Sequence, residues 1–522
     1  MTTYRNGEVS HWMRNSDRPG SSARSEAAAA VDAAAAANAG EAADAAEAPR
    51  AAEAPQASRT AAGGGDDAST TPPALPTGNQ DLVIIGGGLT GLWAAYYASL
   101  EHPDWAITVL EAEEVGYGAS GRNGGWLSTL IPGNRAVYAK SVTAARGSGL
   151  EAVRAFQQAM FTAIDETLAV LDAEGIDAHQ AQGGNLKVAQ TPAGMERIRA
   201  TYQGDLTYGY STDDVRLLSA AETRARVNVD NAVGGIFYER TTAVDPALLT
   251  RGLAAVVAAR GVRICENARV SRIGAGCAVT NRGAVRGTTI LSCLEAYSGT
   301  IGGDAPGLGA RQVIPVNSSI IVTEQLPEET WARIGWEGRE CLSDSAHTFV
   351  YAQRTADGRI AIGGRGSPYA FNSGTPGSGA VDERTVAQLR HKLGALFPGF
   401  DMPIAHAWRG VIGVTRDWCA GIYFDPHQRI GVARGYAGHG VTATQLAART
   451  LLDRAEGRTT SRTELPWNDH DSGLWEPEPV RWLGVHAMYR LFEAADGWEH
   501  SRRAERTSLI ARFGSRLAGL HE

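Results

Sequence analysis

Residues 81–111 constrain the fold more than any other stretch of this chain. Asp81-Leu82-Val83-Ile84-Ile85 runs into Gly86-Gly87-Gly88-Leu89-Thr90-Gly91 and then into a helix-compatible run from Leu92 to Leu100. The pattern is strand, tight turn, helix. The glycines fall where a dinucleotide needs them: Gly86 at the turn, Gly88 where a pyrophosphate approaches the backbone, and Gly91 where helix and strand pack closely. The helix start at Leu89 and Thr90 offers free N–H groups to an anion. A second strand, Ala106 to Leu110, ends in Glu111 with Ala112 beside it. A carboxylate there can accept both hydroxyl hydrogens of an adenosine ribose. The competing reading is a glycine-rich turn in an ordinary βαβ unit, and at this point NAD and FAD are both open.

The 522 residues suffice for two or three domains with a large core. A net charge of −8 argues against nucleic acid or an anionic membrane as the main partner. Cys265, Cys277, Cys293, Cys341 and Cys419 are scattered, without a CxxC. Neither a disulfide framework nor a metal site is expected, and the usage suits a reducing cytoplasm. There is no apolar run of the roughly 18 residues that suggests a membrane span. The first twenty residues lack a secretory hydrophobic core.

Before the first glycine cluster the chain is unusual. Residues 1–20 form a polar arm in which Trp12-Met13 could dock on the body. Half of residues 21–60 are alanine, and Gly63-Gly64-Gly65, Ser/Thr and prolines follow. With almost no large apolar residue to hold it, 21–77 reads as a linker, disordered or transiently helical.

After Glu111 comes a second glycine-rich loop, Gly118-Ala119-Ser120-Gly121-Arg122-Asn123-Gly124-Gly125. So many glycines argue for a loop pressed close to a ligand. Arg122 either pairs with a phosphate or caps the loop. Val153, Phe156, Met160, Phe161, Ile164, Leu168 and Leu171 give a one-sided helix. Residues 184–189 read as a strand and 192–225 as one or two helices. Asp245-Pro246 is a cap followed by proline at the first helical position. The helix there leads to a strand at 262–265, short strands including the Val270 region on the adenine side, and a return strand at 287–293. Residues 312–323, 347–352, 359–363 and 408–414 suggest a largely antiparallel sheet, with Asp357-Gly358 as a hairpin turn. Helices are expected at 381–397 and from Thr442 to Leu452, with one or two more over 475–514. A last glycine cluster, Gly435-Tyr436-Ala437-Gly438-His439-Gly440-Val441, opens the 442–452 helix. Its backbone dipoles suit the far, electron-rich end of a cofactor.

With these clusters in view the chain resembles the FAD-dependent amine and amino-acid oxidoreductases of the D-amino-acid oxidase and glycine oxidase superfamily. It is most similar to the branch that includes gamma-glutamylputrescine oxidase. The likeness rests on Gly86, Gly88, Gly91 and Leu110-Glu111, above all on Gly118 to Gly125, and continues through Asp245-Pro246, Ala361 to Arg365, Ala407 to Gly410 and Gly435 to Gly440. It departs at Cys293-Leu294-Glu295, where the branch usually carries small neutral residues, and in the alanine-rich segment.

The resemblance implies an α/β fold in which a Rossmann-like FAD-binding domain (78–180, 241–300, 421–460) is interleaved with an α+β substrate domain on a mostly antiparallel sheet (181–240, 301–420). A helical tail, 461–522, completes the chain. It also implies non-covalent FAD and oxidation of a C–N bond in an amine or amino acid by hydride transfer to flavin N5. The imine would hydrolyse to a carbonyl, and oxygen or another acceptor would reoxidise the flavin. Candidate substrate and catalytic residues are Arg365 and Arg416 as carboxylate clamps, His439 near the flavin and Trp408 as a cavity wall. His347 and His406 read as structural. A tailoring flavoenzyme acting on an unusual amine and a non-catalytic FAD-binding protein are the alternatives.

Overall fold

Two sheets carry the molecule. The structure, a computed structural model, describes residues 4–14, 73–143, 147–303, 305–364, 366, 368–375, 379–502 and 504–518. The expected linker, as far as residue 72, and Arg365 lie outside the described residues.

The first sheet is centred on the long strand Gly283–Ser292. Gln80–Ile85 runs parallel along one side of it, followed outward by Ile107–Leu110 and Arg263–Cys265. On the other side Ile430–Arg434 pairs parallel with its C-terminal part, and Cys277–Thr280 pairs antiparallel with its N-terminal part. Gln80–Ile85 is a nearly continuous apolar run because it is covered on both faces. Leu82 and Ile84 pack under helices, while Val83 and Ile85 pack with Ile273 and Ala278 of the 270–280 hairpin. The helices Leu89–Glu101, Gly149–Ala173, Pro246–Ala259 and Gly440–Ala455 share the first of these cores. Asp245 caps the third of them by accepting from the N–H groups of Ala247 and Leu248, with Pro246 in the first turn.

The second sheet has nine strands in the order Arg5–Asn6, Ile404–Val414, Ile314–Thr323, Ile360–Gly364, Tyr351–Arg354, Cys341–Asp344, Asn185–Ala189, Gly234–Tyr238, Val215–Ser219. Two of its pairings are parallel and the rest antiparallel. This is the α/β architecture expected from the sequence, with a largely antiparallel substrate sheet.

Some stretches differ: the strand expected over 347–352 is found at Tyr351–Arg354, and Cys341–Asp344 is a further strand. Residues 192–225 contain the helix Pro192–Thr207, then the strand Val215–Ser219, then the helix Ala220–Arg226. The strand is five residues long without clear alternation, and pairing with Gly234–Tyr238 rather than its own propensity makes it a strand. The tail forms the helices Val480–Ser501 and Leu509–Ala518. Among the described residues no helix is long and apolar enough to cross a membrane.

The arm docks. Arg5 and Asn6 lie parallel to His406 and Ala407, and Asn6 exchanges two hydrogen bonds with the backbone of Val381. The short helix His11–Arg14 buries Trp12 and Met13.

Candidate cofactor and active site

The first glycine turn is fixed by its own crowding. Gly86 has φ +107°, and a Cβ there would lie 2.7 Å from the Cys293 carbonyl oxygen. A Cβ on Gly91 would lie 2.0 Å from the Gly86 carbonyl oxygen. The helix start behind it meets two side chains. The Leu89 N–H donates to Ser120 Oγ at 2.8 Å, and the Gly87 N–H to Glu111 Oε2 at 2.7 Å. Burial pushes the Glu111 carboxyl above its usual value, while the N–H groups of Glu113, Gly87 and Ala112 oppose the shift. Val270 is buried in the core below this end, and the nearby Ala268 N–H donates to the Glu111 carbonyl.

The second glycine turn is 346 positions away in sequence yet adjacent in space: Thr90 Oγ1 and the Tyr436 hydroxyl share a hydrogen bond of 3.1 Å. His439 caps the helix Gly440–Ala455 by position, and its own N–H donates to the Tyr436 carbonyl. From Glu111 and Ala112, over Gly88, Gly118 and Ser120, to His439, Gly440 and Val441, the residues are only half-buried; Gly438 is exposed. Gly86, Thr90, Gly91, Gly121, Gly125 and Gly435 lie buried behind them.

This strip fits FAD. It has a helix N-terminus for a pyrophosphate and a carboxylate for a ribose. Near the second turn two buried polar atoms, Thr442 Oγ1 and Trp126 Nε1, have no partner in the described structure.

The loop 118–125 is held mainly by protein. Arg122 donates through Nε to the Tyr117 carbonyl at 2.7 Å and through Nη1 to the carbonyls of Glu8 and Arg409. Its guanidinium therefore ties backbone segments together, the loop-capping alternative. Asn123 closes the loop by donating to Ala119 and Ser120 carbonyls and accepting from the Gly125 N–H. The glycines admit neighbouring side chains. A Cβ on Gly121 would lie 2.7 Å from Met13 Sδ, and one on Gly124 2.7 Å from the Tyr351 ring.

The arm supplies contacts that the sequence reading did not assign. Ser10 Oγ donates to the Gly121 carbonyl and Trp12 Nε1 to the Asn123 carbonyl. Trp12 stands edge-on to Trp408 at 6.1 Å, and Trp408 Nε1 donates to the Arg122 carbonyl. Trp408 is thus enclosed between the arm and the loop. The only forward signal was the pair Trp12-Met13 in an otherwise polar stretch. Trp12→Ala is expected to destabilise the docked arm by ~3 kcal/mol and to accelerate FAD release, checked by stopped-flow flavin fluorescence.

Other candidates fall elsewhere. Arg416 pairs with Glu476 at 3.0 Å and lies 5.4 Å from the centre of the Trp475 ring. His406 meets the Gly7 carbonyl at 3.0 Å, and burial lowers its pKa. His347 belongs to a network with Arg197 and Glu499. Glu295 carries a charge into the site. It accepts from the Gly413 N–H and, at 2.7 Å, from the Tyr436 N–H. Burial pushes it up to about 7, against the pull of those N–H groups, that of Gly435 and the Arg434 guanidinium.

Opposite the second turn stands one face of the antiparallel sheet. Strand register puts Val316, Ser318, Tyr351, Gly363, Gly410 and Ile412 on it. Ile412 approaches Gly438, and the hydroxyls of Ser318 and Tyr351 share a bond of 2.8 Å. These six residues carry no charge. A separate cavity of about 1130 Å³ lies between the sheet and the tail helix, lined by Thr348, Phe349, Trp418, Met488 and Phe492 among others. No residue of either glycine turn lines it.

The family model described as FAD dependent oxidoreductase (DAO) matches residues 81–454. Among curated relatives, a probable oxidoreductase OrdL of Rhizobium meliloti (strain 1021) is 28% identical over 404 residues, covering 74% of this chain and 86% of that protein. The gamma-glutamylputrescine oxidoreductase of Escherichia coli (strain K12) is 28% identical over 379 residues, covering 72% and 84%. The crystal structure of glycine oxidase from Geobacillus kaustophilus superposes with a TM-score of 0.63 at 18% identity, covering 76% of this chain and 99% of that one. That last likeness bears on the fold.

Proposed function

This chain belongs to the FAD dependent oxidoreductase family, and on that premise we propose that it oxidises a C–N bond of an amine with non-covalently held FAD. The observation that carries the reading is the pairing of two glycine-capped helix starts, joined through Thr90 and Tyr436, across from a sheet face whose six residues named above carry no charge. We assign the FAD-binding domain to 78–180, 241–300 and 421–460 and the substrate domain to 181–240 and 301–420. The 28% identity to a gamma-glutamylputrescine oxidoreductase supports placing the chain near that branch.

The FAD, when bound, supplies the hydride acceptor. The chain's own residues do the rest. The Thr90 N–H and the Ser120 hydroxyl, whose oxygen takes the Leu89 N–H, would hold the pyrophosphate, and Glu111 would hold the adenosine ribose. The N-terminus of Gly440–Ala455, with His439 and Thr442, would present positive dipole to the electron-rich end of the flavin. Val316 and Ile412 exclude water from the substrate side. The Ser318–Tyr351 hydroxyl pair can accept from and donate to an amine nitrogen, orienting its α-carbon. A neutral wall favours the uncharged amine, whose lone pair can assist hydride departure. It also favours an amine over an α-amino acid, since among the described residues none of these six pairs with a carboxylate.

The test is anaerobic flavin reduction by a panel of amines and α-amino acids. Amines are expected to bleach the flavin, and air to restore it with peroxide release if oxygen is the acceptor. A flavin that dithionite reduces but no amine or amino acid does would leave a passive FAD-binding protein. Bleaching by α-amino acids, together with a raised KM for them in Arg365→Ala, would shift the reading to an amino-acid oxidase.

A further inference from the structure

Residues 293–297 touch every wall of the proposed FAD site. The Cys293 carbonyl closes over Gly86, and Tyr297 lies 3.6 Å from where a Cβ of Gly118 would be. Between them Glu295, at φ +46°, reaches the strand Ile404–Val414 and the second glycine turn. We propose that Glu295 is a positioning residue: its carboxylate fixes the second glycine turn to the substrate sheet and thereby sets both the seat and the electrostatic environment of the flavin. The inference rests on the FAD reading above.

Three observations support it. The site is built for this side chain, because a Cβ on Gly413 would lie 2.1 Å from Glu295 Oε2. A residue other than glycine at 413 would displace the carboxylate. The connection is also reciprocal. Gly413 donates its N–H to Glu295, and its carbonyl accepts from the Ala437 N–H at 3.1 Å. Strand and turn are therefore laced on both sides. Finally, the anchored residue leads on to the cofactor. Tyr436 donates its N–H to Glu295, shares a hydrogen bond with Thr90 of the first turn through its hydroxyl, and accepts the His439 N–H on its carbonyl. One carboxylate thus positions the start of the helix Gly440–Ala455 relative to the start of Leu89–Glu101.

A carboxylate accepts both N–H groups at once, whereas an amide of the same shape turns one NH₂ donor toward one of them. Glu295→Gln therefore keeps the volume and breaks half of the clamp. At a pH above about 7, where Glu295 is ionised, it also removes a negative charge from the flavin's surroundings, and a more neutral surrounding favours the electron-rich reduced flavin.

The experiment compares the wild type with Glu295→Gln by apoprotein melting, FAD titration and midpoint potential of the bound flavin. The expected result is little change in melting, at least tenfold weaker FAD binding and a positive shift of the potential. A potential and an FAD affinity both within error of wild type would overturn the proposal, as would a loss of affinity that follows the loss of apoprotein stability with the potential unmoved. If Glu295→Gln does not fold, Glu295→Asn, which relieves crowding at Gly413, carries the same comparison. Failure of both to fold makes the role purely structural and also overturns the proposal. Wild-type protein that binds no FAD would instead sink the function itself, so the two failures are distinguishable.

Discussion

Gly91→Ala is expected to abolish FAD binding, with an affinity loss of at least a hundredfold, and to lower the melting temperature of the apoprotein as well. The added Cβ would lie 2.0 Å from the Gly86 carbonyl oxygen and 3.0 Å from Ile84 Cγ2. Neither neighbour is the free end of a flexible side chain, so the helix Leu89–Glu101 must lift off the strand Gln80–Ile85. Overpacking of this kind costs ~1–3 kcal/mol or more. The lift also carries the phosphate-facing N–H groups out of position. Gly88→Ala is the informative companion. Its Cβ would meet only Ser120 Oγ, at 2.8 Å, and a serine hydroxyl can rotate away. Gly88→Ala should therefore melt close to wild type yet lose FAD, because its methyl stands where the pyrophosphate approaches. Flavin retained through gel filtration, measured beside the apoprotein melting curve, separates the two. Full flavin retention by Gly91→Ala would sink the assignment of this turn.

Glu499→Ala is expected to release the tail. Glu499 accepts from Arg197 at 2.7 Å, from the Ser508 N–H at 2.9 Å, and meets His347 Nε2 at 3.1 Å. Arg197 also donates to the Ser345 carbonyl. One helix turn earlier, Asp496 accepts from the N–H groups of His347 and Thr348. His347, Asp496 and Glu499 stand close enough to suggest a cation site. The guanidinium already on Glu499 makes the cluster an ion-pair clip instead. Removing one partner of a buried pair costs ~3–5 kcal/mol, because the other charge is left uncompensated. Amide exchange over Val480–Ser501 should accelerate strongly while the sheet centred on Gly283–Ser292 stays protected. The pH dependence has a defined sign. Burial alone would raise the Glu499 carboxyl, but the bonds from His347, Ser508 and Arg197 outweigh it and hold it at about 2, below the ordinary 4.5. Its contribution is fully present above about pH 4.5 and is lost as the pH falls toward 2. Unchanged exchange in Glu499→Ala, or a tail that loosens on alkaline rather than acid titration, would contradict the clip.

What could be read forward was local. The first glycine turn, the Asp245-Pro246 cap and the hairpin at Asp357-Gly358 each declare themselves within a few residues, because turn and cap chemistry is short-ranged. The strand Val215–Ser219 did not, since its identity comes from a partner strand. The glycines at 121 and 124 show a subtler limit. Their abundance announces a close approach, but not what approaches, and the nearest side chains are Met13 and Tyr351. Glu295 was legible as an anomaly and not as a solution. A charge among small residues looks like an intrusion until Gly413 and Tyr436, more than a hundred positions downstream, are seen to receive it. Arg416 looked like a carboxylate clamp because Glu476 could not be seen beside it.

The docked arm has a consequence for how the protein is made. The arm is synthesised well before its strand partner, Ile404–Val414, which is among the last parts of the two sheets to be made; Gly7 and His406 are 399 positions apart. At 5–20 residues per second the arm waits roughly 20–80 s with Trp12 and Met13 uncovered. The long separation costs little at equilibrium, because loop-closure entropy grows only with the logarithm of length. In time it costs more, because non-local contacts form late. Pairing of the arm with Ile404–Val414 is then a closing step of maturation, and a chain that stalls before residue 404 lacks that strand and the Trp408 ring that packs on Trp12.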